Sequence, residues 1–109
     1  MRFLAKIQIP VDVGNEKVKD GSLGTSLQAI LMQQKPEAVY FTDLDGLRTV
    51  IMIIDIANAS DIPGISEPWF LAFTATVELH TALVQADMGA AGPALAQAVA
   101  AFGGGPAQS

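Results

Sequence analysis

Residues 38–56 read AVYFTDLDGLRTVIMIIDI, and they decide the fold. Two runs rich in β-branched and aromatic residues, 38–42 and 47–56, flank Asp43-Leu44-Asp45-Gly46. Such side chains fit a pleated, half-buried surface. Asp-Gly tolerates the consecutive positive φ angles of a type I′ turn, whose twist matches that of paired strands. A two-residue loop at Asp45-Gly46 sets the register: Leu44 pairs with Leu47 and Tyr40 lies opposite Ile51. The second run is apolar at every position from Val50 to Ile54, the pattern of a strand covered on both faces.

Before the hairpin, residues 2–9 alternate. Phe3, Ala5, Ile7 and Ile9 form a wholly apolar face, and Leu4, Lys6 and Gln8 form a mixed one, as in a strand. Pro10 cannot donate to a ladder and ends it. Residues 13–20 read as a polar connector with one helical turn around Val18. A helix is expected over residues 22–34, with Ser22 or Thr25 as its cap and Leu23, Leu27, Ile30 and Leu31 on one face. Pro36 closes it.

After the hairpin, a second helix is expected from Ser60-Asp61, with Ile62, Ile65, Trp69 and Phe73 at helical spacing. Pro63 suits a first turn, whereas Pro68 removes an interior hydrogen bond and is expected to kink or split the helix. Residues 74–84 read as a strand with Val77, Leu79, Thr81 and Leu83 on one side and Thr76, Glu78, His80 and Ala82 on the other. Pro93 suits the first turn of a last helix carrying Leu95, Val99 and Phe102 on one face. Residues 103–109 read as a disordered tail.

Strand, helix, strand, strand, helix, strand is the split β-α-β order. The expected fold is therefore α+β: a ferredoxin-like antiparallel sheet over residues 1–102, with both crossover helices on one face and a C-terminal helix added. The other face has no spare element to cover it except that last helix.

Composition limits the function classes. A chain of 109 residues holds one domain. Half of its residues are hydrophobic and 16% are charged, a surplus of apolar material that hints at burial against a second chain. The formal charge is −5, and the six basic residues (Arg2, Lys6, Lys17, Lys19, Lys35, Arg48) are scattered. That argues against nucleic acid, whose phosphates need clustered cations. Without cysteine there are no disulfides, thiolate nucleophiles, iron–sulfur clusters or cysteine zinc sites. The N-terminus is too interrupted for a signal peptide, and no apolar stretch approaches the roughly 20 residues of a membrane span. A cytoplasmic protein without a membrane partner is expected.

Strand alternation assembles a candidate site. If the helices cover Phe3, Ala5, Ile7 and Ile9, the opposite face presents Lys6 and Gln8 beside Glu78 and His80. The hairpin register adds Tyr40, Thr42, Thr49, Ile51 and Ile53 to that face. His80, the single histidine, is the candidate general base, with Glu78 fixing its tautomer. Lys6, Gln8 and Tyr40 are candidate ligand contacts, and Glu67 and Trp69 of Glu67-Pro68-Trp69-Phe70 a candidate lip. Each has a plainer reading: an interface histidine, a Lys6–Glu78 ion pair, core aromatics. No metal site is expected, since Glu78 alone is placed to help a lone histidine, and nothing calls for a cofactor.

Several segments carry a resemblance: Ile9-Pro10-Val11 through Gly14-Asn15, Lys19-Asp20-Gly21-Ser22, Lys35-Pro36-Glu37-Ala38 and residues 65–73, Ile-Ser-Glu-Pro-Trp-Phe-Leu-Ala-Phe. Over roughly residues 1–85 the chain resembles small uncharacterised bacterial proteins of the dimeric α/β-barrel group, related to YCII-like and antibiotic-biosynthesis monooxygenase-like families. The resemblance implies a homodimer or higher oligomer in which two sheets pack face to face, each subunit keeping a cavity beside its own sheet. It implies no particular activity. Two functions stay open at this point. One is small-molecule binding or cofactor-free enzymology, with proton transfer on a small organic substrate as the natural chemistry. The other is a non-catalytic interaction or regulatory dimerisation module.

Overall fold

Four antiparallel strands make up the sheet in the computed structural model, whose described residues are 1–104. They are β1 (Arg2–Ile9), β2 (Ala38–Leu44), β3 (Leu47–Asp55) and β4 (Thr76–Thr81), in the spatial order β2-β3-β1-β4. The described helices are α1 (Val11–Asp20), α2 (Leu23–Gln34), α3 (Ile62–Phe73), α4 (Gln85–Ala90) and α5 (Gly92–Phe102), with a 3-10 turn at Ala59–Asp61. This α+β arrangement is consistent with a ferredoxin-like fold. None of the helices is long and apolar enough to cross a membrane.

The hairpin forms as its turn chemistry requires. Asp45 and Gly46 have φ of 57° and 74°, both positive, and Leu44 pairs with Leu47 while Tyr40 pairs with Ile51. β1 lies beside β3, with Lys6 opposite Ile51 and Ala5 opposite Met52. β4 joins the free side of β1, placing Glu78 opposite Lys6 and His80 opposite Leu4.

One face of this sheet is the core. Ala5, Ile7, Ile9, Val50, Met52 and Ile54 are buried there together with Ile30 of α2 and Trp69 and Phe73 of α3. The Trp69 and Phe73 rings stack with centroids 5.9 Å apart. Trp69 Nε1 donates to Gln34 Oε1 at 3.1 Å, and Gln34 Nε2 donates to the Ile65 carbonyl at 2.8 Å. The Gln34 side chain, between α2 and α3, therefore has its amide satisfied at both ends, as a partly buried amide must. α1 reaches the same core through Lys17, whose Nζ lies 5.3 Å from the centroid of the Phe73 ring, a cation–π distance.

Several elements differ from the sequence expectation. Residues 13–20 belong to a full helix, α1, rather than a connector. Val11, Val13 and Val18 supply too thin a stripe for periodicity to register, but Gly21 at φ 80° closes the helix by donating to Val18 O at 3.3 Å. Gly14 lets α1 approach the sheet, because a Cβ there would stand 2.5 Å from a terminal nitrogen of Arg48. Ser22 precedes α2 without a side-chain cap; its N–H donates to Asp20 Oδ1 at 2.8 Å. α3 is not split at Pro68. The missing N–H frees the Gly64 carbonyl, and Gly64 is exposed, so water can take that bond.

β4 is shorter than residues 74–84. Thr74 (φ 53°) is the left-handed cap of α3, donating to Phe70 O at 2.9 Å, and Ala75 is drawn after it. The strand therefore begins at Thr76. Beyond β4 comes α4, which alternation did not foresee, and then α5 from the expected Pro93. These two helices leave the body: every residue in 83–90 and 93–104 is exposed. The radius of gyration is 19.1 Å and the long axis 66 Å, whereas a compact chain of this length has a radius of about 13 Å. Of the expected tail, residues 105–109 lie outside the described residues.

Candidate functional site

The uncovered face of the sheet is organised in cross-strand rows. From β2 to β4 the middle row is Tyr40, Ile51, Lys6 and Glu78. On one side lies Ala38, Ile53, Leu4 and His80; on the other, Thr42, Thr49, Gln8 and Thr76. The polar groups named from the sequence share this face because β-strand side chains alternate. They do not form one cluster, however.

Lys6, Glu78 and His80 do meet. Lys6 Nζ lies 3.5 Å and His80 Nε2 lies 3.4 Å from the same Glu78 oxygen, Oε2. Lys6 is the most sheltered of the three, its side chain 28% exposed against 55% for Glu78 and 64% for His80. The hydrogen bond from His80 and the charge of Lys6 hold the Glu78 carboxyl below its ordinary value, so it is ionised at neutral pH. A carboxylate only accepts hydrogen bonds. Neutral His80 must therefore carry its proton on Nε2 to make this contact, which leaves the Nδ1 lone pair free.

The other expected residues are elsewhere. Gln8 turns toward the hairpin, its Nε2 lying 3.1 Å from Asp45 Oδ2 and 3.3 Å from the Leu44 carbonyl. Tyr40 is 66% exposed and stands three strands from Glu78, about 14 Å across the sheet. Trp69 is fully buried in the core on the opposite side of the sheet. Glu67, on the same helix, is exposed to solvent. Neither joins Lys6, Glu78 and His80.

Sequence patterning missed a groove on the helix side of the sheet, between α2 and the edge strand β2. One part, about 530 Å³, is lined by residues including Leu27, Leu31, Met32, Lys35, Val39 and Phe41. A second part, about 280 Å³, continues past Leu27 and Phe41 to Ile9, Thr42, Arg48 and Val50. Its signal was the apolar inner face of β2, which runs past the end of the helix stripe meant to cover it. Among the described residues no group of three or more carboxylates and histidines is arranged to hold a metal ion.

No family model matches this chain, and no curated protein matches it. Among solved structures it is similar to one described as "De novo designed protein Ferredog-Diesel", with a TM-score of 0.43 and 12% sequence identity over 74% of this chain and 85% of that chain.

Proposed function

We propose that the uncovered sheet face handles a small organic molecule and that a second copy of the chain encloses it, in the manner of a dimeric α/β barrel. The supporting observation is the shared Glu78 oxygen, which lies within 3.5 Å of both Lys6 Nζ and His80 Nε2; neutral His80 donating from Nε2 would have Nδ1 as its basic nitrogen. The surroundings are apolar: Leu4, Ile51 and Ile53 lie between the charged group and the β2 edge. Enclosing them removes water, which strengthens the Lys6 and Glu78 charges on anything held there.

Proton transfer is the chemistry that fits these groups without a cofactor. His80 Nδ1 takes a proton from a carbon beside a carbonyl, and the electron pair moves onto the carbonyl oxygen. The Lys6 ammonium stabilises that oxyanion, and the imidazolium returns the proton at a neighbouring atom. Glu78 stabilises the transient imidazolium. The reaction class is an isomerisation or tautomerisation with no net oxidation.

A second reading, a non-catalytic dimerisation module, has its own support. The concavities described above lie on the other side of the sheet, and Lys6 and His80 already have an acceptor in Glu78. Thermal melting of the wild type and of His80→Ala against a panel of small carbonyl compounds separates the two. Ligand-dependent stabilisation that His80→Ala loses supports the site. Identical behaviour of the two proteins across the panel leaves only the module.

A further inference from the structure

We propose that α4 and α5 form an arm that seats in the α2/β2 groove of a second copy of this chain. The proposal stands on the other face of the sheet from the candidate site and does not depend on that site's chemistry.

The arm is a continuous stretch of helix with a single joint. Ala91 has helical dihedrals, its N–H donates to Asp87 O at 3.0 Å, and the Leu95 N–H donates to Ala91 O at 3.0 Å. Pro93 merely lacks the N–H that would complete the ladder. Eighteen residues, 85–102, thus project about 27 Å at the helical rise. Most helical stability in proteins comes from tertiary packing of an apolar face rather than from intrinsic propensity. With no buried residue in either helix, packing on its own body does not hold the arm in helical form. Something else must.

The arm's chemistry specifies what that is. Residues 88–109 carry no charged side chain. Met88, Leu95, Val99 and Phe102 are exposed, Phe102 at 88%, and alanines between them permit close approach. With Leu83 and Val84 they offer on the order of 600 Å² of apolar surface per arm. Two arms in two grooves, related by a two-fold axis, bury on the order of 2,000 Å², the size of a stable interface.

The groove matches the arm in polarity and in charge. It is walled by Leu27, Leu31, Met32, Val39 and Phe41, and Lys35 and Arg48 border its two parts. Neither cation is in an ion pair among the described residues. A helix C-terminus carries partial negative charge that a nearby cation stabilises, and α5 has no basic residue in its own last turn. The groove supplies what the arm lacks. Because it opens on the helix side of the sheet, it stays accessible when the opposite faces are paired.

The absence of cysteine makes a direct test possible in the full-length chain. Val99→Cys and Met32→Cys, prepared separately and mixed under mild oxidation, should give a mixed disulfide at least tenfold faster than Val99→Cys with Lys19→Cys on α1. Sedimentation should show the dissociation constant of the dimer raised at least tenfold by Val99→Asp and Phe102→Asp. Both positions are exposed, so circular dichroism should confirm that the body still folds. A wild-type monomer at 100 μM (roughly a hundred times a micromolar dimer constant) overturns the proposal. So does association unchanged by the two aspartates, or no disulfide preference for Met32. Tyr40→Asp, on the open face, separates this from face-to-face pairing. Dimers lost with Tyr40→Asp but kept with both arm variants sink the arm and spare the enclosed face.

Discussion

Lys6 and Glu78 face each other across the β1–β4 ladder, with Lys6 Nζ 3.5 Å from Glu78 Oε2, and the same oxygen also receives His80. A pair this exposed contributes little to folding, because water screens it and the long side chains lose freedom. Its consequence is electrostatic. It favours the ionised form of one carboxylate and holds a histidine ring nitrogen beside it, on a sheet face that has no other charge between Lys6 and the β2 edge in its row.

The Glu78 carboxyl should therefore titrate below its ordinary value of 4.5, as followed by carboxyl ¹³C shifts. His80→Ala and Lys6→Met should each move the midpoint upward. The sign of the linkage follows from the depressed folded value. The group adds stability above the ordinary pKa, and that contribution is lost as pH falls through the folded pKa. Denaturation of Glu78→Gln against wild type should thus differ at neutral pH and converge in acid. A gap that widens in acid would contradict the assignment.

The amino terminus gives a second pH-dependent contact, far from the site. The Met1 ammonium lies 2.8 Å from Asp55 Oδ1, and this hydrogen bond and charge hold Asp55 below its ordinary range. Acetylating the amino terminus should raise the Asp55 midpoint while leaving that of Glu78 unchanged. Parallel movement of both would point to a general field rather than to local pairing.

Trp69 should be the costliest side chain to truncate. It is fully buried, stacks on Phe73 and satisfies Gln34. Trp69→Ala should cost about 3–5 kcal/mol in chemical denaturation. Trp69→Phe keeps most of the volume but orphans Gln34 Oε1, and should cost about 1–3 kcal/mol. If Trp69→Phe were neutral, the Gln34 contact would carry no weight in joining α2 to α3.

The hairpin and the β1 alternation were legible in the sequence because both are local. Asp45-Gly46 determines its own turn, and a period of two assigns Lys6, Glu78 and His80 to one face once the strands are paired. Reach was not legible. Alternation placed Tyr40 and Gln8 with Glu78, but a shared face spans four strands: Tyr40 stands three strands away, and Gln8, although on the strand next to β4, turns instead to Leu44 and Asp45. Trp69 was ambiguous because a helical stripe does not state which side of the sheet it covers. α1 escaped notice because its apolar stripe is thin: Val13 packs against the core, and the residue it buries is Gly14, which has no side chain.

Gly14 and Arg48 supply a test of that last relationship. Glycine inside a helix is less stable than alanine by roughly 0.5–1 kcal/mol, so Gly14→Ala would ordinarily stabilise α1. Here the new Cβ would meet Arg48 Nη1 at 2.5 Å, with Cδ at 3.2 Å and Cζ at 3.3 Å. Arg48 can swing its guanidinium away, but it then gives up the hydrogen bond from Nη2 to Asn15 Oδ1, 3.1 Å long. The two effects are of similar size, so Gly14→Ala alone should change stability by less than about 0.5 kcal/mol. In an Arg48→Ala background the clash is gone, and Gly14→Ala should then stabilise by about 0.5–1 kcal/mol. A double-mutant cycle in urea reads the difference directly. Equal effects of Gly14→Ala in both backgrounds would mean that α1 does not press on Arg48, and that Gly14 is merely a tolerated gap in the helix.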